Sequence, residues 1–63
     1  MKGEDYLIEF RQVGAVVRVT AIDPKTGKEA VIQGPVSAEE SALAAAVIRK
    51  LEYLLGKADR NTR

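Results

Sequence analysis

The stretch VVRVTAIDPKTGKEAVIQ, residues 16–33, decides the fold of this 63-residue chain. At its centre, Asp23 starts a turn, the following proline fixes φ, and Gly27 accepts the left-handed backbone that closes the turn. Apolar residues, many of them β-branched, alternate with polar ones on both sides of this turn. The pattern predicts a β-hairpin with strands at about residues 15–23 and 28–33.

The side-chain faces of the two strands determine how the hairpin pairs. If Asp23 lies opposite Lys28, apolar side chains meet apolar ones across the strands, whereas a slip of one residue would mix the faces. The predicted pairs are Val19 with Ile32 and Ala21 with Ala30.

Another strand is predicted before the hairpin, at about residues 5–11, where apolar and polar side chains alternate. A turn at Val13–Gly14 would join it to the next strand. With Gln12 opposite Ala15, apolar side chains meet on one face and opposite charges meet on the other. The predicted pairs are Phe10 with Val17, Ile8 with Val19, and Glu9 with Arg18.

The chain after the hairpin has the pattern of one amphipathic helix. Gly34-Pro35 would end the sheet, because proline cannot extend a hydrogen-bonded ladder. Ser37 and Glu40 have the spacing of a capping box, which predicts a helix from about residue 38 to residue 55. Residues 57–63 are polar, and we expect this tail to be disordered. The apolar residues with helical spacing are Leu43, Ala44, Val47, Ile48, Leu51, Leu54 and Leu55.

These elements predict an α+β fold for a single domain over residues 1–63. It is a three-stranded antiparallel meander followed by one C-terminal amphipathic helix, in the order βββα. The helix would cover one face of the sheet. The apolar side chains expected on that face are Tyr6, Ile8, Phe10, Val17, Val19, Ala30 and Ile32.

The composition excludes several kinds of site. The chain has no cysteine and no histidine, which rules out disulfides and thiolate zinc sites and removes the commonest metal ligand and neutral-pH acid or base. Ten basic and nine acidic residues give a net charge of +1, which favours no polyanionic partner. We therefore predict no catalytic, metal or cofactor site, and we expect that the protein is not an enzyme. No apolar run has the length of a membrane span, and the first residues lack the apolar core of a signal peptide, so a cytoplasmic location is expected.

Self-association is expected from the size of the chain. A domain this small buries only about 60% of the surface of its unfolded form, so a disulfide, a metal or an oligomer usually supports it. The sheet face away from the helix keeps several apolar side chains, and alanines give the helix a smooth surface. The predicted homodimer interface consists of Leu7, Val16, Ile22, Val31, Ala42 and Ala46. The short connection at Gly34-Pro35 would also allow two copies to exchange their helices.

Nucleic-acid binding is the alternative. Residues 34–54, GPVSAEESALAAAVIRKLEYL, resemble the C-terminal part of a double-stranded-RNA-binding domain. That family places lysines directly after the capping serine, whereas Glu39 and Glu40 stand near that position here and would repel phosphate. The basic residues that remain for such contacts are Arg49, Lys50, Lys57, Arg60 and Arg63.

The whole chain resembles a family of short, uncharacterised alphaproteobacterial proteins, a domain of unknown function. The segments that carry the resemblance are residues 6–10, VRVTAIDPKTGKEA (17–30), GPVSA (34–38) and RKLEYLL (49–55). The resemblance implies a small bacterial cytoplasmic protein and supplies no functional residues. From the residues and this resemblance together, we predict a small non-enzymatic interaction or accessory protein that forms homodimers. Binding to an unidentified protein partner is a further option. A weak RNA binder using the basic end of the helix and the tail is the second hypothesis.

Overall fold

The computed structural model describes residues 5–56, which form three strands and one helix. β1 spans Leu7–Val13, β2 spans Val16–Ile22, β3 spans Glu29–Pro35, and α1 spans Glu40–Leu54. The strands form one antiparallel sheet in the order β1-β2-β3. The predicted βββα order and α+β fold are therefore confirmed, while the tail predicted at residues 57–63 lies outside the described residues.

The hydrophobic core lies between α1 and one face of the sheet, which we call the inner face. α1 packs over β2 and β3. Its apolar stripe inserts between small side chains of the sheet, and both Ala21 and Ala30 are buried against it. Leu54, predicted to belong to that stripe, is 46% exposed, whereas Leu55 packs against the core. The buried apolar residues are Val19, Ala21, Ala30, Leu43, Val47 and Leu51.

The hairpin of β2 and β3 has the predicted register, with Val19 opposite Ile32 and Ala21 opposite Ala30. Its loop is organised by Asp23, whose side chain is buried although the loop is at the surface. The carboxylate of Asp23 accepts hydrogen bonds from the backbone N–H of Lys25 at 3.1 Å and from the hydroxyl of Thr26 at 3.0 Å. Gly27, with φ of 79°, closes the loop by donating its N–H to the carbonyl of Asp23 at 2.8 Å.

The predicted register of β1 against β2 is wrong by two residues. Phe10 lies opposite Val19 instead of Val17, and Ile8 lies opposite Ala21. The cause is the turn: Val13 stays in β1 and pairs with Val16, so the turn consists of Gly14 and Ala15. Gly14 has φ of 64°, which the first central residue of a tight hairpin turn requires. A shift of two residues keeps every side chain on its predicted face.

The structure also corrects the end of the sheet and the start of the helix. β3 continues through Pro35, which lies opposite Val16, and the backbone N–H of Val36 donates to the carbonyl of Ala15 at 3.0 Å. The Val16–Pro35 pair is therefore a non-hydrogen-bonded one. The proline nitrogen points away from β2, to the free edge of β3, where no N–H is needed.

The capping box predicted at Ser37 does not form. A turn follows β3, in which Ala38 donates its N–H to the carbonyl of Pro35 at 2.9 Å. This turn includes Ser37, so α1 starts later, with Glu39 as an N-cap that makes no side-chain capping bond.

Gly34 allows α1 to approach the sheet closely. A Cβ atom at this position would lie 2.6 Å from the Cδ2 atom of Leu43, which is a buried residue of the first turns of α1. The absence of a side chain at residue 34 therefore lets Leu43 pack directly on the backbone of β3.

We expect Gly34→Ala to destabilise the fold by about 1–3 kcal/mol, because the new methyl group would displace Leu43 within a packed core. Chemical denaturation would measure the change in the free energy of unfolding. Gln33→Ala is the matched control, since Gln33 is exposed on the same strand and should change stability by less than about 0.5 kcal/mol. Equal stability of Gly34→Ala and the parent protein would contradict the close approach.

We expect Asp23→Ala to cost about 1–3 kcal/mol, because it leaves the N–H of Lys25 and the hydroxyl of Thr26 without their acceptor in the loop. Asp23→Asn should restore part of this loss, since its amide oxygen still accepts from the N–H of Lys25. Lys25→Ala, which keeps both bonds and changes an exposed side chain, serves as the control. If the alanine and asparagine variants of Asp23 unfold at the same denaturant concentration, the side-chain bonds do not stabilise the loop.

Candidate interaction surfaces

The sheet face opposite α1, which we call the outer face, is uncovered in the described structure. Alternation along each strand places twelve side chains there, in four cross-strand rows. From one end to the other, the rows are Leu7-Ile22-Glu29, Glu9-Thr20-Val31, Arg11-Arg18-Gln33 and Val13-Val16-Pro35.

The outer face has apolar ends and a charged middle. Leu7 at one end is 59% exposed, and Val13 at the other end is 62% exposed. Between them, Arg11 lies directly opposite Arg18, and Glu9 lies opposite Thr20. Like charges directly across a ladder repel each other, so this arrangement does not serve the stability of the single chain.

The structure divides the predicted dimer interface between two surfaces. Leu7, Val16, Ile22 and Val31 lie on the outer face, in three of its four rows. Ala42 and Ala46 lie on α1, which packs on the inner face, and Ala42 is exposed while Ala46 is half-buried. The six residues therefore do not form one continuous surface.

The residues predicted for nucleic-acid contacts are only partly described. Arg49 and Lys50 are exposed on α1. The ammonium group of Lys50 donates a hydrogen bond to the backbone carbonyl of Val31 at 2.9 Å, which ties it to β3. The other three residues, Lys57, Arg60 and Arg63, lie outside the described residues.

The bond from Lys50 protects one edge of the sheet. Asp23 with Lys28 and Ala15 with Val36 are hydrogen-bonded pairs, and hydrogen-bonded and non-hydrogen-bonded pairs alternate along the ladder between them. Thr20 and Val31 are therefore a non-hydrogen-bonded pair. The carbonyl of Val31 therefore points away from β2, and Lys50 occupies it. Charged groups at an edge strand hinder further pairing, and here Lys50 places a charge at the β3 edge and occupies one of its outward carbonyls.

The other edge of the sheet is formed by β1. The residues of β2 that bond to β3 cannot also bond to β1, so the β1 residues opposite them direct their backbone N–H and C=O groups outward. These residues are Ile8, Phe10 and Gln12. This edge has the geometry of a template for a fourth strand.

The inner side of β1 is incompletely covered, which the sequence did not reveal. Tyr6, Ile8 and Phe10 pack against the core but remain half-buried, because α1 lies over β2 and β3. On the helix, Ile48 and Leu55 are half-buried as well. The element widths alone indicate this incomplete cover. A helix is about 10 Å wide, whereas three strands spaced about 4.8 Å apart occupy roughly 14 Å.

Metal-binding clusters and membrane-spanning helices are both missing from the part of the chain that the structure describes. Among residues 5–56, no three acidic side chains are grouped so that they could hold a metal ion. α1 is not long and apolar enough to cross a membrane, and residues 5–56 contain no other helix.

Comparison with known proteins identifies one family. No curated protein and no solved structure matches the chain. A family described as a domain of unknown function (DUF6898) matches residues 3–58, which include every strand and the helix. The chain therefore belongs to the family of the domain of unknown function DUF6898.

Proposed function

We propose that this protein is a small non-enzymatic interaction module that forms a homodimer and acts as an accessory protein. The observation that carries the proposal is that α1 is too narrow to cover the whole inner face of the sheet. α1 packs over β2 and β3, so the inner side chains of β1 stay only half-buried. A second copy is the simplest source of the missing cover.

The energy available from completing this cover is substantial for so small a core. A large apolar side chain contributes about 1.5–3 kcal/mol when it is fully buried. At most about a third of each of Tyr6, Ile8 and Phe10 is exposed, so burying the rest would add at most roughly 1–3 kcal/mol per chain. In residues 5–56 the core has six buried apolar side chains, two of which are alanines, so this is a large relative gain.

The remaining parts of the proposal rest on the sequence. The chain has neither histidine nor cysteine, which supports a role without catalysis. We further propose that the protein acts in the cytoplasm of an alphaproteobacterium, as the resemblance of its segments implies. Nucleic-acid binding gains no support from the described contacts, because Lys50 already donates to the carbonyl of Val31.

The first test is the mass of the protein in solution. We expect sedimentation equilibrium to give a mass approaching twice the 6.8 kDa of one chain, with a dissociation constant in the micromolar range. The measurement should cover about 5 to 500 µM, so that association through an interface smaller than the standard size of about 800 Å² per partner is still detected. A monomer mass throughout that range would overturn the proposed self-association.

A further inference from the structure

We propose that two copies join through β1, antiparallel and centred on Phe10, to form a continuous six-stranded sheet with both helices on one face. The inference rests on the proposed self-association and specifies its geometry. It follows from the backbone groups at the edge, the half-buried side chains beneath it and the charges beside it.

The backbone groups restrict the pairing. In an antiparallel ladder, hydrogen-bonded pairs form between residues whose N–H and C=O groups both point toward the new strand. On β1 these are Ile8, Phe10 and Gln12. The register centred on Phe10 places Phe10 opposite its own copy and Ile8 opposite Gln12 of the partner, so all three residues of each chain can bond.

The charges select this register from its neighbours. With Phe10 at the centre, Glu9 lies opposite Arg11 of the other copy. Because the dimer has twofold symmetry, this pair occurs twice. Centring the pairing on Glu9 would oppose two glutamates, and centring it on Arg11 would oppose two arginines. Opposite charges across strands stabilise a sheet and like charges destabilise it, so the register at Phe10 is favoured.

The apolar side chains fit the same register. On the inner face, the two Phe10 rings become cross-strand neighbours, a favourable aromatic pair that extends the core. On the outer face, Leu7 comes opposite Val13 of the other copy, which joins the two most exposed apolar side chains of β1. Each of these contacts covers surface that is open in the single chain.

The two helices leave room for this arrangement. Each lies over β2 and β3 of its own chain. With strands about 4.8 Å apart, the two helix axes would be separated by roughly four strand spacings, or about 19 Å. A helix with its side chains is about 10 Å wide, so the helices do not collide and a gap of about 9 Å remains between them. Over the paired β1 strands, the added cover therefore comes from the β1 side chains of the other copy and not from its helix.

Stacking of two outer faces is the competing arrangement, and the charges disfavour it. It would bring Arg11 and Arg18 of both copies between two sheets, and removing each charge from water is costly. Pairing at the edge leaves these groups in contact with solvent. The β3 edge is also disfavoured, since Lys50 already occupies the carbonyl of Val31.

Charge reversal at Glu9 and Arg11 tests the register. We expect Arg11→Glu to dimerise at least tenfold more weakly, because it opposes Glu9 with a glutamate at two symmetric places. The same substitution should raise the thermal midpoint of the single chain, because it replaces the Arg11–Arg18 repulsion with an attraction. Weaker association together with higher stability separates an interface effect from a folding defect.

A mixture of variants provides the positive result. Glu9→Arg and Arg11→Glu should each be mainly monomeric alone, whereas their equimolar mixture should form a heterodimer with opposite charges at both places. Native mass spectrometry with one partner isotopically labelled would detect it. The double variant E9R/R11E should regain the homodimer, which keeps the test valid if a single variant folds poorly.

A backbone variant distinguishes the edge from the outer face. Gln12→Pro removes an N–H that points to the β1 edge, so it should weaken dimerisation at least tenfold. Gln12→Ala loses the same side-chain bond to the carbonyl of Gly14 but keeps the N–H, so it should dimerise like the parent. If the parent dimerises and either the charge variants or Gln12→Pro leave its dissociation constant unchanged, the β1 arrangement is overturned while self-association stands. A monomeric parent protein would overturn both.

Discussion

The helix α1 is narrower than the sheet it has to cover. An α-helix with side chains is about 10 Å wide, whereas three strands span roughly 14 Å between the outer boundaries of the ladder. A single helix must therefore leave part of the inner face open, and its lateral position decides which strand is exposed. In this protein it lies over β2 and β3. The burial of the core, the incomplete cover of the inner side of β1 and the contact of Lys50 with β3 all follow from that position.

Two local features hold the helix on the β3 side. Gly34 removes the side chain that would otherwise meet Leu43, so the start of α1 lies close to the end of β3. One turn from the end of α1, Lys50 reaches the carbonyl of Val31 in the middle of the same strand. Ala21 and Ala30 are buried beneath the helix, and their small size suits a close approach of helix and sheet. Together these contacts explain why the helix leaves the inner side of β1, and not that of β3, incompletely covered.

The parts of the fold that could be predicted are those with a period or a specific turn chemistry. Alternation assigned the strand faces, and the Asp23 to Gly27 turn fixed the register of β2 and β3. The register of β1 was missed because a shift of two residues preserves both faces, so the side-chain pattern cannot distinguish the two pairings. The helix start was missed because Ser37 also suits a turn, and the bond from Ala38 to Pro35 places it in one.

The candidate site was harder to predict than the fold, because it depends on where the helix lies laterally. The pattern identified apolar residues on both faces, but it could not reveal that Tyr6, Ile8 and Phe10 would be only half covered. It also could not show that Lys50, assigned to a nucleic-acid surface, would bond to the backbone of β3. Both facts depend on contacts with residues that are distant in the sequence.

The error in the β1 register bears directly on the interface. In the predicted pairing, Glu9 would lie opposite Arg18 and would find its opposite charge within its own chain. In the structure, Arg11 lies opposite Arg18 and Glu9 lies opposite Thr20, so the opposite charges of neighbouring rows are only diagonal. Direct cross-strand pairs are closer than diagonal ones, and the direct pair here is repulsive. A single chain thus leaves Glu9 and Arg11 without a directly facing opposite charge, and another β1 strand centred on Phe10 provides one for each of them. The order of charges along β1 is self-complementary in either register, because a shift of two residues leaves the same backbone groups facing outward. Only the observed register leaves both Glu9 and Arg11 without a directly facing opposite charge in their own chain.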